Sequence, residues 1–579
     1  MHGGMRLSDG RTRLFRNRTT RKGDTFNARR RLESISFRPR GPQGRSIREH
    51  YLKANCRETT IDPQVRLSDL LIRAGLVTSK DVTAALERMK TKGGRMGDNL
   101  VAIGAIDQKT LDSFTRRIPR EPATMAEVGI DETDLLGLFM KLVYTQRLEK
   151  VGQITEAIKL PQHIVMDLAR MAIERQLIFT LSALSTDSIL EMRYGITDEG
   201  KRWTVDLLKR SGYVGPAPVT LTQFVERVNL QKPTNERVTM DRVLEAIRGL
   251  TLDPTIVAQA GPALNSGRAM LLYGPPGNGK TSVALCIAEM FHDLIHVPYA
   301  VYVQGEIIRY YDPRVHLPLG FMGISDEDYE PPNFRRDAHD MRWISCRRPF
   351  VVAGGELTLE MLDLRYDETG HYYEAPLHMK ALSGCFLIDD FGRQFVSPRD
   401  LLNRWIVPME SRVDYLKLQT GASFAIPFEE LVIFATNLDP EELMDPAFLR
   451  RIPYKIEVSS PSLEQFRIIF ENEVRLHGMA LEEDIFKYIV YLIRQEKGLE
   501  LAGFHPIFII QQVMAACRFL GVKPELKSPF IDFAIDNLRV RRPTDRRREP
   551  GAPRPPAANE TATRDRDTTA RPSDTLPEY

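Results

Sequence analysis

The feature that most constrains the fold is a glycine-rich loop between an apolar run and a helix-forming run. Residues 269–273 are apolar and typical of a buried strand, and residues 282–291 read as a helix. Between them stands the sequence Gly274-Pro275-Pro276-Gly277-Asn278-Gly279-Lys280-Thr281. A strand, a GxxxxGKS/T loop and a helix in this order form a phosphate-binding P-loop. The pattern predicts an α/β unit with a parallel sheet that binds a nucleotide.

Each residue type in the loop has a chemical reason. Glycines let backbone N–H groups wrap phosphate oxygens, and the N-terminus of the following helix adds partial positive charge. We expect Lys280 to reach the β- and γ-phosphate oxygens and the Thr281 hydroxyl to bind Mg²⁺. ATP and Mg²⁺ are therefore the predicted cofactors, held by residues 274–281 together with Ser282.

Two acids follow a second apolar strand. Residues 385–388 (Cys-Phe-Leu-Ile) end in Asp389-Asp390. A buried strand that delivers acids to its carboxyl end is the Walker B arrangement. We expect Asp389 to bind Mg²⁺, and Asp390 to orient and deprotonate the attacking water.

A third strand, residues 431–436, ends in Asn437, and Arg450-Arg451 follow. With these motifs in this order, residues of about 239–538 resemble an AAA+ ATPase. The resemblance implies that Asn437 positions the lytic water. It also implies that Arg450 or Arg451 of one subunit completes the site of its neighbour, so a ring or helical oligomer is expected.

Three departures from that family stand out. Asp390 occupies a position that usually holds Glu in this family. An Asp-Asp pair is known in the initiator-type branch, so the shorter acid predicts slower hydrolysis rather than none. About 110 residues separate Lys280 from Asp389, so residues 305–380 are interpreted as an insertion that contacts a client or a neighbouring subunit. Ile507 stands where a sensor 2 arginine is usual.

Residues 413–426 predict a β-hairpin around Gly421. It is either an ordinary surface hairpin or a pre-sensor-1 insert, as in MoxR-like ATPases.

An internal repeat precedes this core. Residues 66–77 align with residues 95–106, so Arg, Asp, Leu and Gly recur 29 residues apart. Such self-similarity indicates two copies of one small helical unit. The repeat resembles the N-terminal domain of type II secretion and type IV pilus assembly ATPases (the MshEN type), some of which bind cyclic di-GMP. The positions that would carry this binding are Arg66, Leu70 and Gly75 in the first copy and Arg95, Gly97, Leu100 and Gly104 in the second. The alternative is a docking module without a nucleotide.

Residues 132–215 predict a winged-helix-like α+β domain. Three helices are expected at 134–148, 150–158 and 162–176, then β-runs at 177–184 and 189–196 around a wing at 185–188, then a helix from Thr197. The third helix would read DNA, but its cations Arg170 and Arg175 are balanced by Asp167 and Glu174. Phosphate contacts need a cationic stripe, so a protein-docking role is at least as well supported.

Charge is concentrated at the two ends of the chain. Residues 1–60 carry 16 Lys and Arg against 5 acids, residues 539–579 carry 10 Arg against 7 acids, and the total is +3, so the body has a charge of −11. Basic, polar ends predict disordered tails rather than a basic nucleic-acid-binding face. The first tail is either a solvated segment or an electrostatic arm for nucleic acid or anionic lipid.

The cysteine pattern and the hydropathy of the sequence indicate the cellular compartment of the protein. The five cysteines form no CxxC pair, which favours reduced thiols and the cytoplasm. No apolar run reaches the roughly 18 residues of a membrane span. His316, His339, His371 and His378 match no zinc spacing and are interpreted as isolated surface histidines.

The predicted organisation is a multidomain protein: an α/β P-loop AAA+ core with a helical lid, preceded by a small α-rich repeat domain and the winged-helix-like domain. The boundaries are a basic tail at 1–62, the repeat domain at 63–120, the winged-helix-like domain at 132–215, a linker at 216–238, the core at 239–458, the lid at 459–538 and a tail at 539–579. The leading hypothesis is an ATPase that remodels a protein client, with a link to pilus or secretion machinery. The alternatives are a nucleic-acid-binding ATPase or regulator, and an ATPase that responds to cyclic di-GMP.

Overall fold

The computed structural model of the protein describes residues 67–73, 76–115, 117–181, 193–247, 250–318 and 339–538. They fall into two compact units: one holds the described residues up to 472 with 502–504, and the other holds 473–501 with 505–538. Both predicted tails and the predicted wing lie outside the described residues. Within the described ranges, no helix has the length and apolar character needed to cross a bilayer.

The first module contains four short helices whose spacing repeats. They are α1 (Leu67–Arg73), α2 (Ser79–Lys92), α3 (Met96–Ala102) and α4 (Gln108–Thr115). α1 and α3 start 29 residues apart, as do α2 and α4. Leu71 and Val82 from the first pair share one buried core with Leu100 and Leu111 from the second. Neither pair has enough apolar surface to form a core alone, so the two copies fold together.

Among its described residues, the second module contains five helices and a two-stranded hairpin. Its elements are α5 (Met125–Val128), α6 (Glu132–Gln146), α7 (Val151–Ile158), α8 (Gln162–Glu174), β1 (Ile178–Leu181), β2 (Arg193–Ile196) and α9 (Asp198–Arg210). β1 and β2 are antiparallel, with Ile178 opposite Ile196. α6 lies at the centre, since nine successive residues from Leu135 to Val143 are buried. α9 packs closely on the hairpin through Gly200, where a Cβ would lie 2.1 Å from the carbonyl oxygen of Leu177.

Between residues 219 and 457, the described chain contains both strands and helices. The strands are β3 (Val219–Thr220), β4 (Met270–Tyr273), β5 (Leu294–Pro298), β6 (Ala300–Val303), β7 (Glu306–Arg309), β8 (Trp343–Arg347), β9 (Phe350–Ala353), β10 (Arg365–Asp367), β11 (Tyr372–Glu374), β12 (Cys385–Ile388), β13 (Val413–Lys417), β14 (Ser423–Pro427), β15 (Leu431–Thr436) and β16 (Tyr454–Glu457). The helices are α10 (Leu221–Leu230), α11 (Met240–Ala246), α12 (Pro254–Ser266), α13 (Lys280–Glu289), α14 (Leu377–Lys380), α15 (Pro398–Ser411), α16 (Pro440–Leu443) and α17 (Pro446–Leu449).

Five of these strands form a parallel sheet in the order β16-β4-β15-β12-β9. Every neighbouring pair is parallel. β15 and β12 are buried along their whole length, as expected when a parallel sheet is covered on both faces. The carboxyl ends of β4, β15 and β12 therefore lie side by side at one edge, where ligands of open α/β sheets bind.

A second, mixed sheet has the order β10-β11-β7-β6-β3. It shares a core with the antiparallel pair β5–β8 and with the hairpin β13–β14. Leu416, Phe424 and Ile426 of the hairpin are buried in that core. The predicted hairpin thus exists, and its apolar face is occupied within the chain.

A buried ion pair joins the second module to the mixed sheet. The side chain of Arg342 is 1% exposed and donates to Asp340 at 2.8 Å. It also donates to the backbone oxygens of Val128 at 3.3 Å and Pro218 at 3.2 Å. A buried guanidinium needs several acceptors, so this contact fixes three separate chain segments together.

Two segments differ from the sequence-based organisation. Residues 216–238, predicted as a linker, contain β3 and α10, and Phe224 and Val228 of α10 are buried in the mixed-sheet core. The flanking Pro and Gly residues indicated a linker, whereas the apolar spacing of four residues marks one buried helix face. The predicted insertion 305–380 contains β9, which is an edge strand of the parallel sheet, and the mixed sheet already includes β6 before residue 305.

The prediction of surface histidines is wrong for two residues. His316 and His378 are both completely buried. The His316 ring accepts from the backbone N–H of Asp312 at 3.0 Å, and burial lowers its pKa to about 4. Nε2 of His378 lies 2.9 Å from a carboxylate oxygen of Asp414. These histidines are internal polar groups of the fold.

Beyond β16 the described chain is helical. The elements are α18 (Leu463–Leu476), α19 (Glu483–Tyr491), a π-helical turn (Leu492–Glu496), α20 (His505–Leu520) and α21 (Ser528–Asp536). Within the second unit, α20 packs on α21 and Asn537 donates to Gln512 at 3.2 Å. Ile507 lies in the first turn of α20.

Candidate functional site

The loop between β4 and α13 has a backbone that requires glycine. Gly274, Gly277 and Gly279 have φ values of 134°, 80° and 86°, a region that other residues rarely adopt. A Cβ on Gly274 would also lie 2.5 Å from the carbonyl oxygen of Val458, which follows β16. The loop is therefore shaped by its glycines and by close approach to the neighbouring strand.

Lys280 begins α13 and is 7% exposed. Its ammonium donates to the backbone oxygens of Gly274 and Pro275, each at 2.9 Å. Burial lowers the pKa of Lys280, and the carboxylates of Asp389 and Asp390 oppose this shift. The loop thus holds a buried cation over its own backbone, beside the N-terminus of a helix, and this arrangement suits an anionic phosphate.

Thr281 and Asp389 meet at the carboxyl edge of the parallel sheet. Thr281 Oγ1 donates to Asp389 Oδ2 at 2.8 Å. The other oxygen of Asp389 accepts from the backbone N–H of Asp390 at 3.0 Å. A hydroxyl and a carboxylate side by side offer the oxygen ligands that Mg²⁺ prefers. The sequence predicted both residues as metal ligands, and they are in contact.

Asp390 and Asn437 also lie together. The amide of Asn437 donates to Asp390 Oδ1 at 2.8 Å. Asp390 has a φ of 50°, in the left-handed region. This acid is therefore held by a side chain from the next strand, and its backbone adopts a conformation that costs free energy and is often found at functional sites.

Three contacts at this site were not predicted from the sequence. Gln394 bonds the backbone around Asp389, donating to its carbonyl oxygen at 2.9 Å. Thr436 Oγ1 donates to the carbonyl oxygen of Phe391 at 2.7 Å. The backbone N–H of Phe504 donates to Gly277 O at 2.9 Å. Each depends on tertiary geometry, and no sequence motif marks it.

The two candidate arginines differ in their surroundings. Arg451 donates to Glu410 of α15 at 2.6 Å and to the backbone oxygen of Ala447 at 2.9 Å. Arg450 is exposed, and the contact described for its side chain is a 3.3 Å bond to the backbone oxygen of Pro446. Arg451 is thus engaged in an ion pair within its own chain.

The predicted cyclic di-GMP positions are only partly described. Arg66 and Gly75 lie outside the described residues, as does the side chain of Leu70. Gly97 packs on Leu111, since a Cβ there would lie 2.9 Å from the Leu111 side chain. Leu100 is fully buried, Gly104 has a φ of 75°, and Arg95 is exposed at the start of α3. Packing and backbone conformation thus account for Gly97, Leu100 and Gly104 without a ligand.

The helix α8, which corresponds to the predicted DNA-reading helix, has one of its candidate cations in an ion pair. Arg170 donates to Asp167 at 2.7 Å within the same helix. That pair neutralises one of the two cations that could contact a phosphate backbone.

Comparison with known proteins gives one family match. Residues 462–537 match a domain of unknown function, DUF8689. No curated protein matches the chain at a significant level. Among solved structures, the branch migration motor RuvB from Thermotoga maritima is similar at 13% identity and a TM-score of 0.28, over 49% of this chain and 69% of that one. NtrX from Brucella abortus in complex with ADP is similar at 13% identity and a TM-score of 0.32, over 60% and 69%. Likenesses at this level are too distant to indicate an activity.

Proposed function

We infer that this protein is an ATP hydrolase of the AAA+ type that requires Mg²⁺. The observation that carries the proposal is a chain of contacts from Thr281 through Asp389 and Asp390 to Asn437. It links the P-loop to two further strands of the parallel sheet. In this proposal Asp390 accepts a proton from the water that attacks the γ-phosphorus, and the bond to the leaving ADP oxygen breaks.

The residues present fit a polyphosphate and a divalent cation. Lys280 is a buried cation whose ammonium contacts loop carbonyl oxygens of Gly274 and Pro275, and a phosphate oxygen is a stronger, charged acceptor. Thr281 and Asp389 supply adjacent oxygen donors. Bound Mg²⁺ would neutralise phosphate charge there.

The proposal is tested by measuring phosphate release from ATP by the purified full chain. We expect turnover with Mg²⁺ and its loss when EDTA removes the cation, because Thr281 and Asp389 offer hard oxygen ligands. Binding of a fluorescent ATP analogue measures affinity separately. A folded chain that neither binds nor hydrolyses ATP would contradict the proposed function.

We also propose that hydrolysis requires an oligomer in which an arginine of one subunit completes the site of its neighbour. Substituting Arg450 and Arg451 one at a time tests which of them has this role. Because Arg450 is exposed and Arg451 is paired with Glu410, we expect Arg450 to reach a neighbouring subunit. Arg450→Ala should lower kcat by about 10²–10³-fold and leave ATP affinity within about twofold, since a transition-state cation is lost.

Arg451→Ala is the matched control, since it removes the adjacent guanidinium together with its ion pair. We expect it to change kcat by less than about threefold, because a partly exposed ion pair contributes little. The assay is run across a range of protein concentrations. If Arg451→Ala instead lowers kcat more than Arg450→Ala does, Arg451 is the arginine that completes the neighbouring subunit's site.

We further propose that turnover remodels a protein client, which the modules at 67–115 and 125–210 recruit. The intrahelical Arg170–Asp167 pair on α8 favours a protein partner over nucleic acid, because DNA binding needs free cations. A link to pilus or secretion machinery rests on the resemblance of the repeat module alone.

A further inference from the structure

The loop that carries Asp390 contains a tight turn. Asp390 O accepts from the backbone N–H of Arg393 at 3.0 Å, and Asp390 itself has a φ of 50°. A non-glycine residue in this region persists when its surroundings hold it there. The carboxylate can face the site only while this turn keeps its shape.

The side-chain amide of Gln394 lies across the turn and makes two bonds to it. Its nitrogen donates to Asp389 O at 2.9 Å, and its oxygen accepts from the backbone N–H of Gly392 at 2.8 Å. The two bonded backbone groups flank Asp390 on either side. One amide thus uses both its donor and its acceptor to fix the peptide units around the acid.

We propose that Gln394 is a positioning residue for hydrolysis: it holds the Asp389–Gly392 backbone so that the Asp390 carboxylate faces the attacking water. The proposal rests on the proposed function. Asn437 holds the carboxylate from the side-chain end, and Gln394 holds it from the backbone. Both restraints are needed because small displacements of a catalytic group cost large factors in rate.

The test is Gln394→Met, which keeps the length of the side chain and removes both bonds. We expect kcat to fall at least about tenfold, with KM and ATP affinity within about twofold, because the phosphate-binding residues are untouched. Gln394→Glu keeps the acceptor for Gly392 N–H but sets a carboxylate oxygen against Asp389 O, which repels it, so its kcat should fall at least as far as that of Gln394→Met.

Gln231→Met is the matched control. Gln231 is also half-buried, and its amide also makes two backbone bonds, donating to His296 O at 3.0 Å and accepting from His296 N–H at 2.9 Å. It lies in the mixed-sheet region and contacts no residue of the site. A general loss of stability would lower Tm in both variants, whereas only Gln394→Met should lower kcat per folded molecule.

The Asp390→Asn background decides whether Gln394 acts through Asp390. Once the carboxylate is gone, adding Gln394→Met should lower the residual kcat by less than about twofold. An equal fall in both backgrounds would overturn the proposal, as would an unchanged kcat in Gln394→Met when the wild type hydrolyses ATP. A wild type without ATP turnover would instead remove the proposed function itself.

Discussion

Lys280→Ala is expected to abolish ATP binding at micromolar nucleotide and to lower kcat/KM by at least about 10²–10³-fold. The side chain is the buried cation of the P-loop, 7% exposed, and its ammonium lies against the loop carbonyl oxygens. If Lys280 binds phosphate as we propose, its removal takes away charge-assisted bonds in both the ground state and the transition state. Fluorescent-nucleotide titration and phosphate release measure the two losses.

A matched lysine controls for loss of a charge. Lys455 on β16 also donates to a backbone oxygen, that of Ile452 at 2.8 Å, and it is exposed. Lys455→Ala should keep ATP affinity and turnover within about twofold. If Lys280→Ala binds ATP as the wild type does while remaining folded by circular dichroism, the assignment of residues 274–281 to phosphate binding is wrong.

Asp390→Asn is expected to separate binding from chemistry. The amide has nearly the shape of the carboxylate, and its oxygen can still accept from Asn437, as Asp390 does at 2.8 Å. It cannot take up a proton from water, so kcat should fall by about 10²–10⁴-fold. ATP affinity should be equal or tighter, since one negative charge near the phosphates is removed.

Single-turnover hydrolysis measures the chemical step directly and excludes an effect on product release. Asp367→Asn serves as the control, because Asp367 caps a turn in the mixed sheet by accepting from Thr369 N–H at 2.9 Å. Hydrolysis by Asp390→Asn at the wild-type rate would exclude Asp390 as the base and direct attention to the remaining acid, Asp389.

The sequence predicted the candidate site best where the chemistry requires particular residue types within a short motif. The contact between Thr281 and Asp389 crosses 108 residues of chain. Asp389 directly follows β12, and Thr281 follows the glycine loop that leaves β4, so both lie at the edge where these parallel strands end. The pairing of Asn437 with Asp390 follows from the same rule. Those contacts need only the strand assignments and a parallel sheet.

The mixed sheet could not be predicted in this way. β3 has two residues and pairs with β6, which is about 80 positions further along the chain, and periodicity in so short a strand carries no information about its partner. β9 was missed because the excess length between Lys280 and Asp389 was assigned to the whole of residues 305–380, which includes this edge strand of the parallel sheet. Gln394 was missed for a related reason: its role depends on a backbone turn.

The strands of the mixed sheet are far apart in the sequence, and this spacing determines when the sheet can form during protein synthesis. β3 emerges from the ribosome early, but its partner β6 ends at Val303 and the hairpin that completes the core ends at Pro427. Domains usually fold as units while the chain grows. Here Phe224 and Val228 have no completed core to enter until the ribosome has reached Pro427. The nascent chain exposes these apolar side chains until that point, and chaperones can bind them during this interval.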